Sequence, residues 1–214
     1  MALFQAGVKQ LELTREFLGE VNVASGSAAA NALKINGVFS NKYVNYEVIY
    51  TAQCATQGTT AKALCLQFGT GGTLTEDGTE FQAGEHFKQV DTTSDGGAVM
   101  TASDGMGLNG TFTTTAYLAT GIIRISNPFQ SARIEVYHEG QFGYLTGTSM
   151  WGYYGYGEST TEPSGYTDIY LNAIGNTFST SNASSNDLSA LTKYTIFGKM
   201  KVYGIRGWDW GGDL

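Results

Sequence analysis

Six acidic side chains, which have the chemistry of a catalytic or metal site, lie in one glycine-rich segment. Hydrolysis of a glycosidic bond uses two carboxyls held roughly 5 to 9 Å apart across a cleft, and oxygen-rich loops also suit Ca²⁺. The flexible sequence around these carboxylates gives no sign of such a pair, so we interpret the segment as a solvated acidic loop. Its members are Glu76, Asp77, Glu80, Glu85, Asp91 and Asp95.

The chain has only two histidines, His86 and His138. His138 precedes Glu139, but the second histidine of a zinc protease helix is missing and the surrounding residues favour a strand. No nucleophile-elbow serine, phosphate-binding loop or dinucleotide-binding glycine motif occurs. We therefore predict a protein that is not an enzyme and that has no catalytic residue, metal site or cofactor.

The most suggestive segment is residues 150–158, where aromatic residues are interleaved with glycine. In a loop, such side chains offer flat apolar faces with polar tips, which suit protein contacts and stacking on sugar rings. A buried aromatic cluster that closes one end of a sandwich is the third interpretation. The candidate interaction residues of this segment are Trp151, Tyr153, Tyr154 and Tyr156.

Both ends of the chain carry further candidates for contact. Phe4 lies in an irregular N-terminal segment that we interpret as an arm, docked on its own subunit or on a neighbour. Trp208 and Trp210 lie in the last nine residues. Because large exposed apolar groups usually mark contacts, we predict that these tryptophans do not extend freely into solvent.

The elements that must position these residues are strands. Residues 194–205 show the two-residue period of a β-strand, with Met200 and Val202 on one face and Lys199 and Lys201 on the other. Aromatic and β-branched residues are frequent here, which also favours a strand over a helix. We predict that this strand lies at the centre of a β-sandwich.

Further strand signals are separated by short turn clusters, as a sandwich or barrel requires. About eight principal strands in two sheets is the number found in a jelly roll. Between residues 69 and 110, Asp-Gly and Asn-Gly pairs supply tight turns, which indicates either several short strands or long surface loops. The other predicted strands cover residues 33–39, 43–50, 63–68, 112–118, 121–126, 133–138 and 168–172.

The composition indicates a folded protein that is part of an assembly. Of its 214 residues, 42% are hydrophobic and 13% aromatic, enough for the core of one sandwich. Only 14% are charged, whereas about a quarter or more of a soluble monomer's surface is normally charged. We therefore expect much of the surface to be neutral and polar, or to be covered by other subunits.

The charge pattern argues against nucleic acid and membrane partners. The formal net charge is −7 and no basic run exists, so no surface suited to tracking phosphates is expected. No apolar run approaches the roughly 18 residues of a membrane-spanning helix, and no secretory signal pattern is visible. We expect synthesis in a cytoplasm.

In that reducing compartment, Cys54 and Cys65 are expected to be thiols, although a hairpin between them would also permit a disulfide.

The terminal strand signal resembles the closing strand of a family of jelly-roll bacteriophage virion structural proteins, through Gly-Lys-Met-Lys-Val-Tyr-Gly-Ile at residues 198–205. Residues 32–39, 43–50 and 63–69 are similar to the family's first core strands. The resemblance implies a part of the virion, such as a capsid decoration or cement protein, a head fibre or a tail fibre, with trimers as the preferred symmetry. Residues 206–214, which extend past the usual end of the family, depart from its pattern, as does the unusually aromatic segment.

These observations predict an all-β fold, a jelly-roll-like antiparallel β-sandwich with an N-terminal arm and long Gly-rich loops. Residues 1–24 would form the arm and first strand, residues 25–205 the sandwich and residues 206–214 a Trp-rich tail. The predicted function is a cement protein that is made in the host cytoplasm and stabilises the shell through contacts with itself, as a homotrimer, and with the major capsid protein. The alternative is a tail or fibre component that binds host-surface carbohydrate, with Trp151, Tyr153, Tyr154 and Tyr156 as stacking platforms. A glycan hydrolase is the third hypothesis.

Overall fold

The computed structural model describes residues 15–24, 31–54, 58–75, 81–89, 95–103, 105–108, 112–114, 117–130, 132–144, 150–160, 165–174 and 193–206. Within these ranges the regular secondary structure is entirely β-strand, and no helix is long and apolar enough to cross a membrane. The strands are β1 (Arg15–Val23), β2 (Ala32–Ile35), β3 (Asn45–Cys54), β4 (Gly58–Thr70), β5 (Thr73–Leu74), β6 (Phe81–Gln89), β7 (Asp95–Ser103), β8 (Met106–Gly107), β9 (Phe112–Thr114), β10 (Tyr117–Ser126), β11 (Glu135–Tyr144), β12 (Met150–Ser159), β13 (Asp168–Ile174), β14 (Lys193–Tyr194) and β15 (Ile196–Ile205).

The strands form two antiparallel sheets, which confirms the predicted all-β sandwich. The first sheet has eight strands in the order β1-β15-β3-β10-β11-β12-β6-β7. The second is built on β14-β13-β4-β5, with β2 pairing to β13 and with β8 and β9 pairing to β4. Consecutive strands β10, β11 and β12 lie side by side, so the middle of the larger sheet is a meander.

The terminal strand β15 has the predicted inner face, because Ile196, Met200 and Val202 are fully buried. Its predicted central position is wrong. It lies one strand from the edge of the larger sheet, between β3 and β1, because β1 supplies a further partner and the long meander extends the sheet on the far side of β3. Residues 1–14 of the predicted arm lie outside the described residues.

Aromatic side chains from both sheets fill the space between them. Phe39 packs edge-on against Tyr46 with ring centroids 4.8 Å apart, and Phe68 stacks on Tyr166 at 5.5 Å. Phe81 is 1% exposed, and its ring centroid lies 5.4 Å from that of Phe68. Since β6 begins at Phe81, this contact anchors the far side of the larger sheet to the smaller one.

The glycine-rich segment and the aromatic segment both contain β-strands. Of the two alternatives left open for residues 69–110, strands account for β6 and β7, which pair with each other. The prediction that residues 150–158 form a loop is wrong, because they belong to β12, which pairs with β11 and β6 on its two sides. Pairing on both sides satisfies the backbone of β12, which offsets the low strand propensity of its glycines.

A buried carboxylate ties three loops together near the end of the smaller sheet. Asp168 accepts hydrogen bonds from the backbone N–H of Gly37 at 2.9 Å and of Gly72 at 2.5 Å, and from the Thr167 hydroxyl at 2.8 Å. Burial acts to raise the pKa of Asp168, but the hydrogen bonds from Gly37, Thr167 and Gly72 outweigh burial and hold the pKa below its usual range. The ionised side chain therefore stabilises the fold at neutral pH.

Asp168→Asn is expected to lower the free energy of unfolding at pH 7 by about 2 kcal/mol, because an amide replaces a charged acceptor of several hydrogen bonds. The wild-type advantage is present above the unfolded carboxyl's pKa and is lost as the pH falls through the lower folded value. Urea unfolding at pH 7 and in acid measures both effects. Glu135→Gln, which removes an exposed carboxylate of β11, serves as the control with little expected change. Equal stability of Asp168→Asn and wild type would contradict the assignment.

Candidate functional site

A shallow groove of about 760 Å³ crosses the outer face of the eight-stranded sheet, the face turned away from the second sheet. Its lining comes from five neighbouring strands, β3, β10, β11, β12 and β6. Side chains on one face recur at every second residue, so each strand contributes one to three groups. The outward-facing side chains of the groove belong to Ile49, Thr51, Thr120, Ile122, Tyr137, Glu139, Gln141, Tyr154, His86 and Lys88.

The strand register sets which of these groups are neighbours. Glu139 of β11 lies opposite Tyr154 of β12, and Tyr154 lies opposite His86 of β6. One step along the same face, Tyr137 lies opposite Tyr156. Directly opposed side chains in an antiparallel pair have Cβ atoms about 5 Å apart. The register therefore collects three tyrosines and a histidine on one patch.

The aromatic rings of this patch are open to solvent. Tyr154 is 55% exposed, Tyr156 49% and Tyr137 38%. Tyr154 stacks on the His86 imidazole, with ring centroids 5.3 Å apart and planes 27° from parallel. Because His86 supports one face of the ring, Tyr154 is held as a flat platform whose other surface is accessible.

Charged groups orient the third tyrosine. The Arg124 guanidinium lies 5.7 Å from the Tyr137 ring centroid, within the range of a cation–π contact, and its Nη1 lies 3.2 Å from Glu139 Oε1. The Tyr137 hydroxyl donates a hydrogen bond of 3.4 Å to the other Glu139 oxygen. Arg124, Tyr137 and Glu139 thus form one network along the groove, in which the two charges offset each other.

Tyr156 keeps its phenol proton at neutral pH. Partial burial raises the pKa of Tyr156, and the nearby carboxylates of Glu135 and Glu158 raise it further against the opposing effect of Arg133. A protonated phenol can donate and accept hydrogen bonds. The hydroxyl therefore adds a polar contact at the edge of the aromatic patch.

The structure divides the four aromatic candidates of β12 between the two faces of the sheet. Tyr154 and Tyr156 face outward at the patch. Tyr153 is 3% exposed and its hydroxyl is hydrogen-bonded to that of Tyr50 in the core. Trp151 also points inward and stacks on Phe142 with centroids 6.0 Å apart and planes 3° from parallel. As stacking platforms for an external ligand, only the two outward tyrosines are placed at the surface.

The remaining candidates lie outside the described residues, namely Phe4, Trp208 and Trp210. Sequence reasoning missed the groove residues from other strands, which are Tyr137, Glu139, Gln141, His86 and Lys88. The local signal that could have found Tyr137 is the two-residue period of the predicted strand 133–138, which puts Tyr137 and Val136 on opposite faces. The sequence does not indicate that β11 and β6 pair with β12 on its two sides.

The hydrolase and metal hypotheses find no support among the described side chains. No group of three or more His, Cys, Asp or Glu side chains in the described residues is arranged to hold a metal ion. One carboxylate, that of Glu139, lies among the described groove residues, whereas glycoside hydrolysis uses two. Of the six acidic residues noted in the sequence, none has a described side chain.

Of the two cysteines, the structure describes the side chain of Cys65. Cys65 is fully buried in β4, and its thiol donates to the Leu66 carbonyl at 3.6 Å. The side chain of Cys54 lies outside the described residues. The preference for thiols over a disulfide stays a prediction.

Comparison with known proteins adds little to this description. No family model matches the chain, and no curated protein matches it. One solved structure, described as the CBM2 module of Lactobacillus casei BL23 phage J-1 evolved Dit, matches with a TM-score of 0.24 and 11% identity, covering 92% of this chain and 83% of that one. The fold and the site themselves define the class: an all-β antiparallel sandwich with an aromatic and polar groove on its outer face.

Proposed function

We propose that the protein is a non-enzymatic carbohydrate-binding module of a bacteriophage tail or fibre, which holds a host-surface glycan in the groove. The observation that carries the proposal is the exposed Tyr154 ring stacked on His86 beside two further exposed tyrosines. The groove places these rings next to the carboxylate, amide and hydroxyl groups of neighbouring strands.

The chemistry of this surface matches that of a sugar. One side of a pyranose ring presents C–H groups, which pack on a flat aromatic face, and its rim presents hydroxyls that need hydrogen-bond partners. Around Tyr154 the available partners include Glu139, Gln141 and Thr120. Because the groove is open and rests on paired strands, it presents a largely preformed surface, which keeps the ordering cost of binding small.

The virion assignment rests on the resemblance of the closing strand and the first core strands to phage structural proteins. The sparse charge of the chain, 14% of residues, supports a component that is partly covered in an assembly. The net charge of −7 argues against nucleic acid as the ligand of the groove. Membrane contact is not part of the proposal.

Tyr154→Ala is expected to lower glycan affinity by about 10- to 30-fold, because it removes the central platform and leaves His86 without its stacking partner. A glycan array identifies ligands, and titration calorimetry with the best of them gives the affinities. Tyr203→Ala is the matched control, since Tyr203 lies on the same outer face in β15, outside the groove. Loss of binding in both variants, or in neither, would argue against this site.

The second candidate, a capsid decoration or cement protein, is favoured by one observation. Met150, Tyr154 and Tyr156 line up on the outer face of β12 with exposures of 47%, 55% and 49%, and contiguous apolar groups of this kind also suit a subunit interface. Light scattering would then detect a homotrimer, and the protein would cosediment with expanded capsid shells of its phage. In that case Tyr154→Ala and Tyr156→Ala would weaken shell binding, and no glycan would bind.

A further inference from the structure

The charge along the groove is uneven. At the end near Tyr137, the carboxylate of Glu139 is offset by Arg124 at 3.2 Å. Arg124 also lies 3.9 Å from the buried Glu47, so that end carries no spare cation. At the other end, Lys88 is exposed on β6, and among the described side chains it has no ion-pair partner. A ligand at this end of the groove therefore meets the exposed Lys88 ammonium, which none of the described carboxylates offsets.

A gap in the side-chain surface lies beside this lysine. Gly152 of β12 is directly opposite Lys88 on one side and Gln141 of β11 on the other. A Cβ atom at Gly152 would have no atom within 4 Å. Because adjacent strands are about 4.8 Å apart, Lys88 and Gln141 flank a space about 10 Å wide. An ammonium group and an amide, both hydrogen-bond donors, thus border one open position.

The aromatic platform adjoins the same gap. Tyr154 is two residues from Gly152 on the same face of β12, about 6.7 Å along the strand. The His86 imidazole, which stacks on Tyr154, lies on the same face of β6 as Lys88. A substituent that projects from a sugar stacked on Tyr154 can therefore reach the space over Gly152.

We propose that the groove selects an acidic sugar, whose ring stacks on Tyr154 while its carboxylate lies over Gly152 between the Lys88 ammonium and the Gln141 amide. The inference rests on the proposed carbohydrate-binding function and adds the charge of the ligand. A hydrogen bond between an ionised donor and an ionised acceptor is roughly twice as strong as a neutral one. Lys88 therefore favours a carboxylate over a neutral substituent and disfavours a cationic sugar.

The test compares sugars that differ only in their acid group. The probes are an oligogalacturonate with its methyl ester, sialyllactose with its methyl ester, and a hyaluronan oligosaccharide with its carboxyl-reduced form. For at least one pair, the acidic member is expected to bind about tenfold more tightly at low salt, and the preference should shrink as salt is added.

Variants separate the acid site from the stacking platform. Lys88→Gln is expected to remove most of the acidic preference and to change the neutral partner's affinity less than about twofold. Lys201→Gln is the control, because it makes the same charge change on the same outer face in β15. Gly152→Leu, which fills the gap, should likewise lower the affinity for the acidic ligand. Asp95→Asn removes the acidic residue opposite Lys88 in the register of β7, and it should leave acidic binding unchanged or strengthen it.

The outcomes distinguish the two levels of the proposal. Equal binding of both members of each pair, through Tyr154 but without effect of Lys88→Gln, overturns the acidic selectivity and retains the carbohydrate function. Absence of binding to every acidic and neutral probe and to the glycan array overturns both. Weaker acidic binding in Asp95→Asn, or an equal loss in Lys201→Gln, also contradicts a carboxylate site at Lys88. Thermal melting of each variant verifies that the fold is retained.

Discussion

Gly140→Ala is expected to lower the free energy of unfolding by about 3 kcal/mol, the upper end of the cost of overpacking a core. Gly140 faces inward in β11, where a Cβ atom would lie 2.5 Å from the Tyr153 hydroxyl oxygen and closer still to the Thr120 carbonyl. The carbonyl belongs to a paired strand, and Tyr153 is held by its hydrogen bond to Tyr50. Neither neighbour can move without loss of other contacts, so the substitution acts on the centre of the sheet.

Gly152→Ala is the matched control for this change. It makes the same substitution one strand away, on the outer face, where a Cβ atom meets nothing within 4 Å. We expect its stability to stay within about 0.5 kcal/mol of wild type, since alanine is not strained in a strand and restricts the unfolded chain. Urea unfolding with both variants gives the comparison. A Gly140→Ala protein as stable as Gly152→Ala would show that the inner face has room for a methyl group at this position.

Acid is expected to destabilise the fold through His138. This side chain points inward from β11 and is 1% exposed, with the Tyr153 ring centroid 5.9 Å away. Burial lowers the pKa of His138 from 6.5 to about 4, and the neighbouring Leu108 backbone opposes this shift only in part. The imidazole is thus neutral in the folded protein over a range in which the unfolded chain binds a proton.

The sign follows from that difference in proton binding. The contribution is fully present above pH 6.5 and is lost as the pH falls toward 4, because the unfolded state then binds more protons. At about 1.4 kcal/mol per pH unit, the loss reaches about 3 kcal/mol. His138→Leu should remove this component from the difference between unfolding free energies at pH 7 and pH 4.

Phe142→Leu separates packing from titration. It truncates the next-but-one inward residue of the same strand and leaves His138 in place, so its stability cost should be similar at both pH values. If the wild type and His138→Leu lose equal stability between pH 7 and pH 4, the acid sensitivity comes from carboxylates such as Asp168 and not from the buried imidazole.

Sequence patterns predicted the strands of the sandwich well where one face was apolar. In β15, one face carries Met200 and Val202 and the other carries Lys199 and Lys201, as the two-residue period requires. The glycines and clustered aromatics of β12 are instead typical of loops. The alternation is nevertheless present there, since Tyr153 and Gly155 are buried while Tyr154 and Tyr156 are exposed.

Hydrophobic period and residue type are local properties, so the amino-acid sequence is enough to predict the all-β class, the inner faces of the regular strands and the aromatic segment as a candidate site. The exposure of each aromatic ring and the groups that surround it depend on long-range contacts. His86, Tyr137 and Lys88 join Tyr154 through the pairing of β6, β12 and β11. That pairing is long-range, and a slip of one residue would turn every one of these side chains to the other face of the sheet.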